Sequence, residues 1–271
     1  MARRPTIPLF VAFACLAAMA VTALVALATP GGHERDAAML HGFAALDRPR
    51  VHGAVFALAH LADPLPYLLV GAALVGWALA RGLAWRAGSV VALLVLTGAS
   101  TQAVKHLLAQ SRFEAWLGVN QVGAASWPSG HSTAAMTLAL CAVLVAPAWL
   151  RPAAAVLGGA FAAAVGYAVL VLAWHFPSDV LGGFLMAGLW TALAVAALRV
   201  VEPPRERAPG EPALALGLVV AAGAGLASAA IAVAPRAAVA LYAAERPTLV
   251  LGALVIAALA GALAAGLARA A

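Results

Sequence analysis

Three clusters of polar residues stand at the ends of otherwise apolar stretches: Lys105 with Arg112, Ser129-Gly130-His131, and His175 with Asp179. Together they supply the side chains that phosphoryl transfer uses, since an imidazole can attack phosphorus or deliver a proton and cations can hold the phosphate oxygens. Lys105 and Arg112 are seven residues apart, which on a continuous helix at about 100° per residue returns both to one face after two turns. Arg offers a planar fork and Lys a compact charge to the same anion, although the pair can equally snorkel to lipid headgroups. Trp127-Pro128-Ser129-Gly130-His131 opens an apolar run, so backbone N–H groups are left unpaired at a helix N-terminus whose dipole favours an anion. Ser129 adds a hydroxyl there, and His131 stands where it can protonate a departing oxygen; the plain alternative is a capped helix start with an incidental histidine. Pro177-Ser178 is a helix-start signature, and four residues bring Asp179 within reach of His175. A carboxylate on one imidazole nitrogen fixes the tautomer and frees the other as a nucleophile.

The elements that must position these residues are membrane helices. Of 271 residues, 65% are hydrophobic and 10% charged, far from the balance of a soluble domain. Apolar stretches near the spanning length run from Ile7 to Thr29, Leu65 to Ala80, Gly88 to Leu108, His131 to Leu150, Ala153 to Trp174, Val180 to Val201, Ala213 to Ala234 and Thr248 to Ala268. The expectation is an all-α polytopic bundle of eight spans, with abundant Ala and Gly permitting close helix approach. The first stretch resembles a secretory signal behind Arg3 and Arg4, but its apolar core is too long, so it reads as a retained helix.

Arginine placement orients the bundle. With the N-terminus inside, Arg3, Arg4, Arg81, Arg86, Arg151, Arg199, Arg205, Arg207 and Arg269 fall on the cytoplasmic side. The three clusters then lie outside the cytoplasm, and both termini lie within it. The net charge of +6 is a topology signal, and basic residues so few and scattered argue against a nucleic-acid partner. Cys15 and Cys141 fall inside spans with no ligand-type spacing, so neither a disulfide framework nor a metal site is expected.

Two connections are more than turns. Gly31 to Asp63 reads as two short amphipathic helices at the interface with a break at Pro49, forming an outer flap; its histidines match no standard metal-ligand spacing. Val201 to Pro212, rich in Pro and charge, reads as a cytoplasmic linker between a six-span unit carrying the chemistry and a final two-span hairpin carrying none.

Lys105 to Asp179 resembles the type 2 phosphatidic acid phosphatase family, membrane relatives of bacterial acid phosphatases and vanadium haloperoxidases. The family pattern of Lys, six residues, Arg-Pro is met at Lys105 and Arg112; Pro-Ser-Gly-His is met completely from Pro128 to His131; and Ser-Arg, five residues, His, three residues, Asp is met at His175 and Asp179. The resemblance covers about Ala37 to Val201 and implies a phosphatase core over 37–200, preceded by an N-terminal helix and outer flank (1–36) and followed by the linker (201–212) and the hairpin (213–271). It implies that His175 takes the phosphoryl group, that Asp179 orients it, and that His131 protonates the leaving oxygen and then activates water. Lys105, Arg112, Ser129 and the Gly130 amide would bind the phosphate, with no metal or other cofactor needed.

Two positions depart from the pattern. Phe113 stands where the family has Pro, and Ala168-Val169 where it has Ser-Arg; no other basic residue occurs between Arg151 and Arg199. Loss of a charge-assisted hydrogen bond removes about 1.5–3 kcal/mol of stabilisation, leaving three readings open: a divergent substrate geometry, a slow enzyme, or a lipid-phosphate binder without turnover. The resemblance implies an integral membrane hydrolase acting on a lipid phosphate or pyrophosphate at the outer leaflet of a bacterial plasma membrane. An envelope polyprenyl carrier such as undecaprenyl pyrophosphate is the first candidate, ahead of phosphatidic acid and phosphatidylglycerol phosphate. A transporter that binds without cleaving is the alternative; the spans lack the mid-membrane ionisable residues that transport uses. Nothing in the sequence bears on oligomeric state.

Overall fold

The computed structural model describes residues 5–112, 117, 122–202, 241–242 and 244–270. Among these the chain is all α: α1 (Thr6–Ala28), α2 (Pro30–Ala44), α3 (Pro49–His60), α4 (Pro64–Ala80), α5 (Ala84–Leu107), α6 (Gly130–Val145), α7 (Arg151–Val171), α8 (Pro177–Val201) and α9 (Pro247–Ala270). Proline opens six of them within the first two positions, where its missing N–H costs nothing and its fixed φ suits the helix. Seven of the expected apolar stretches coincide with α1 and α4 to α9. The stretch from Ala213 to Ala234 and nearly all of the expected linker lie outside the described residues, as does Phe113.

Helices α1, α5, α7, α8 and α9 are long and apolar enough to cross a membrane; α3 and α4, bent by 52° at Leu61 to Asp63, make a sixth candidate span together. Helix α6 is shorter, with 16 residues, about 24 Å of rise against a hydrocarbon core of about 30 Å. Its position explains how it persists. It runs through the middle of the bundle against α5, α7 and α8, with α4 and α9 beyond, and nearly all of its side chains are buried. A helix apolar on every side belongs in such a place. Its last carbonyls, which have no partner within the helix, are met by arginines from neighbouring helix ends. Arg86 Nη1 donates to Leu144 O at 2.8 Å, Arg81 Nη1 to Val145 O at 2.7 Å and Arg151 Nε to Ala146 O at 3.2 Å. Arg86 also forms a forked pair with Glu202 just beyond α8.

The segment expected as an outer flap divides in two. Helix α3 lies mainly over α7, whereas α2 packs against α1, α7, α8 and α9 and buries Asp36, Ala37, Leu40 and Phe43. It is part of the bundle, because its apolar residues at 37, 40 and 43 share one face that the neighbouring helices cover. Helix α9 closes the side formed by α2 and α7. Ile256, Ala260 and Ala264 are buried in the core. Leu249 sits where a side chain on Gly42 would be, and Tyr167 Oη donates to Ala253 O at 2.6 Å. Just ahead of α9, Tyr242 Oη donates to Gly42 O at 2.9 Å. Cys15 and Cys141 are buried and not joined.

Helix polarity puts the C-terminal ends of α5 and α7 and the N-terminal ends of α6 and α8 at one end of the bundle. Lys105, Ser129, His131, His175 and Asp179 are all found there.

Candidate active site

Helix α8 sets the geometry. Asp179 occupies its third position, fully buried, and Oδ2 accepts the Phe176 N–H at 3.0 Å, which satisfies a donor at the helix start. The same oxygen lies 3.3 Å from His175 Nδ1. The expected His175–Asp179 contact is therefore present, with His175 Nδ1 engaged. His175 itself, 7% exposed, is delivered by the end of α7. Ala173 adopts a left-handed φ of 54° while Trp174 N–H bonds Val169 O at 2.9 Å and Ala173 N–H bonds Leu170 O at 3.0 Å. This pair of bonds is a Schellman stop, and it turns the chain so that His175 faces the start of α6.

The start of α6 is tied to the same unit. Ser129 N–H donates to the Asp179 carbonyl at 2.8 Å, and Ser129 Oγ caps α6 by accepting Ser132 N–H at 3.3 Å, leaving the hydroxyl hydrogen to donate elsewhere. The close approach needs Gly183: a Cβ there would lie 2.8 Å from Ser129 O and 2.9 Å from Thr133 N. The Lys105 ammonium reaches the first residue of α6, 3.9 Å from where a Cβ on Gly130 would stand. The His131 and His175 rings meet edge-on, with centroids 6.4 Å apart and planes at 63°.

Arg112 arrives by a different route from the one its spacing suggested. Helix α5 ends at Leu107, so Lys105 and Arg112 do not share a helix face. The chain leaves the helix because Gln110 makes tertiary bonds instead, its N–H to Ala124 O and its side-chain amide to Leu27 O, each at 3.0 Å. Arg112 then enters the site from the loop, 5% exposed, its guanidinium 3.9 Å from the centre of the Phe176 ring. Both terminal nitrogens meet protein groups. Nη1 donates to Asp36 Oδ2 at 3.1 Å and to Ser178 Oγ at 3.4 Å; Nη2 donates to Ser126 Oγ at 2.7 Å and to Asp179 Oδ1.

Two carboxylates were missed by sequence reasoning. Asp36, from α2, accepts Ser178 N–H at 2.9 Å, the Ser178 hydroxyl and Arg112 Nη1. Burial and the nearby Asp179 charge push its carboxyl up to about 6, against the opposing pull of the Ser178 hydrogen bonds and Arg112. Asp63, in the turn between α3 and α4, pairs through Oδ1 with His131 Nε2 at 3.1 Å. Neither pairing has a local signal, because Asp36 meets Arg112 and Ser178, and Asp63 meets His131, across more than 60 residues. Trp174 packs between His131 and His60, with ring centroids 5.5 Å from each, and covers the site beside α3. Val169, where the resemblance implies an arginine, is fully buried within the main apolar cluster. Among the described residues no group of three His, Cys, Asp or Glu side chains is arranged to hold a metal ion.

Residues 83–201 match the family model of the PAP2 superfamily, a stretch that contains every candidate site residue expected from the sequence and excludes Asp36 and Asp63. None of the curated proteins compared matches the chain. Among solved structures, the fold is similar to a transmembrane PAP2 type phosphatidylglycerolphosphate phosphatase from Bacillus subtilis. The two are 21% identical over 72% of this chain and 98% of that one, with a TM-score of 0.55. The likeness is one of fold: both chains are polytopic helical membrane bundles.

Proposed function

We propose that this membrane protein is a lipid phosphatase of the PAP2 superfamily that removes a terminal phosphate or pyrophosphate group through a phosphohistidine on His175. The observation that carries the reading is the pairing of two imidazoles with separate carboxylates: His175 Nδ1 lies 3.3 Å from Asp179 Oδ2 and His131 Nε2 lies 3.1 Å from Asp63 Oδ1. His175 Nε2 attacks phosphorus while Asp179 stabilises the developing imidazolium. His131 gives its proton to the leaving oxygen and, as the conjugate base, takes one from the water that releases phosphate. Lys105, the Ser129 hydroxyl and the Gly130 amide supply the cradle at the N-terminus of α6, where charge on the transferred group is stabilised.

The arginine bias supports an extracytoplasmic site with both termini inside, and the burial of the cluster at a helix-end depth suits a headgroup reached sideways from the bilayer. A bacterial envelope polyprenyl pyrophosphate remains the first candidate substrate. Phosphatidylglycerol phosphate is tested beside it on account of the structural neighbour. A binder without turnover is the second reading, favoured by one observation: the apolar packing of Val169 removes a cation that the family resemblance implies.

Purified full-length protein in detergent, with a chelator present, is expected to release phosphate from at least one of undecaprenyl pyrophosphate, phosphatidic acid and phosphatidylglycerol phosphate. Vanadate should inhibit it, and His175→Ala should abolish release. Tight binding of these lipids without release would favour the second reading.

A further inference from the structure

We propose that Asp36 is a positioning residue of the active site: from α2, outside the family-matched region, it shares Arg112 with Asp179 and so sets how strongly Asp179 holds His175. This rests on the reading of His175 as the nucleophile.

The geometry carries it. Asp36 and Asp179 lie on either side of one guanidinium, with Asp36 Oδ2 3.1 Å from Nη1 and Asp179 Oδ1 on Nη2; Ser178 and Ser126 accept the remaining bonds at these two nitrogens. Two terminal nitrogens carry four hydrogens, and four protein acceptors take them. Through both terminal nitrogens Arg112 thus serves as a bridge between carboxylates. Asp36 also satisfies the Ser178 N–H, an orphan donor at the start of α8.

Shared between two carboxylates, Arg112 neutralises Asp179 only in part, and the remainder of that negative charge faces His175 Nδ1. Without the Asp36 charge, Arg112 acts on Asp179 alone, and less of the Asp179 charge is left to hold the His175 ring at Nδ1. The charged groups facing Asp36 are Arg112 from the loop after α5 and Asp179 from α8. Its own helix carries His33, Glu34, Arg35 and His41. Of the other helices packed on α2, α1 has Cys15 as its one ionisable side chain, α7 has Arg151 and Tyr167, α8 has Arg199 besides Asp179, and α9 has Arg269.

Asp36→Asn separates this role from simple capping, because its amide oxygen still accepts the Ser178 N–H while the charge is gone. Expected for Asp36→Asn is a kcat lowered by about ten- to a hundredfold with KM little changed. The acid limb of the kcat profile should become less steep, since the Asp36 carboxyl, which burial pushes up to about 6, no longer contributes. Asp36→Glu should recover part of kcat. Histidine NMR of the full-length protein in detergent, with His175 assigned from the His175→Ala spectrum, reads the same coupling without turnover: Asp36→Asn should shift the His175 ring resonances at a fixed pH. Unchanged His175 ring resonances in folded Asp36→Asn overturn the proposal whether or not the protein hydrolyses lipid, and so does an unchanged kcat profile. A wild type that releases no phosphate, with the His175 resonances still shifted in Asp36→Asn, sinks the phosphatase reading and leaves the Asp36 coupling standing.

Discussion

Lys105 and Arg112 are both cations of the same sequence motif, yet they meet different surroundings. Arg112 is enclosed by Asp36, Asp179, Ser126 and Ser178, whereas the Lys105 ammonium reaches the Gly130 end of α6. A buried guanidinium between two carboxylates is neutralised by the protein itself, and removing one partner leaves an uncompensated charge. A lysine at a helix N-terminus is free to meet a ligand anion. Lys105→Ala is therefore expected to lower kcat/KM by about ten- to a hundredfold, the worth of one hydrogen bond to a charged group, with no matching loss of thermal stability. Steady-state kinetics alongside a melting curve check this; a large fall in melting temperature would mean that Lys105 holds the fold. At position 169 the issue is different. Val169 fills apolar space and its carbonyl accepts the bond that turns the chain toward His175, so this position contributes packing and backbone geometry in place of charge.

At the scale of elements, the site is a junction of two helix starts. The N-terminus of α6 and that of α8 are bound through Ser129 N–H and the Asp179 carbonyl at 2.8 Å, and Gly183 is what lets them approach. Gly183→Ala places a methyl 2.8 Å from Ser129 O and 2.9 Å from Thr133 N, both backbone atoms, so the helices must part. The expected cost is about 1–3 kcal/mol of stability, with activity falling further than stability because the Ser129 to Asp179 link is strained; thermal unfolding and turnover of the same preparation test it. Much of this junction was legible. Pro128-Ser129-Gly130 and Pro177-Ser178 announce helix starts by local chemistry, and the His175–Asp179 contact follows from a four-residue spacing. The shared face of Lys105 and Arg112 was misread, since helical periodicity says nothing of Gln110 leaving the helix for Leu27 and Ala124. Asp36 and Asp63 were illegible for a related reason: a lone carboxylate 142 residues from Ser178 or 68 from His131 carries no pattern until the chain is folded.

Among the described residues of the whole molecule, the candidate site lies at one end of the bundle and the arginine caps of α6 at the other. Arg81, Arg86 and Arg151 close the end of α6, so residues that the sequence offers as an orientation signal also compensate for a central helix shorter than the bilayer core. The C-terminal helix is likewise tied to function at a distance. Helix α9 presses on Gly42, Met39 and Phe43 of α2, with Tyr242 bonded to the Gly42 carbonyl, and α2 carries Asp36 to Arg112. A helix without catalytic side chains thus holds the element that brings the second carboxylate to the site. The central claim about this assembly is that His175 carries the phosphoryl group, and trapping that species tests it most directly. Full-length protein mixed with lipid labelled in its terminal phosphate and quenched within a turnover should hold label that is stable to alkali, released by acid and absent from His175→Ala. Lipid turnover without such label on His175, or label retained in His175→Ala, would contradict the account.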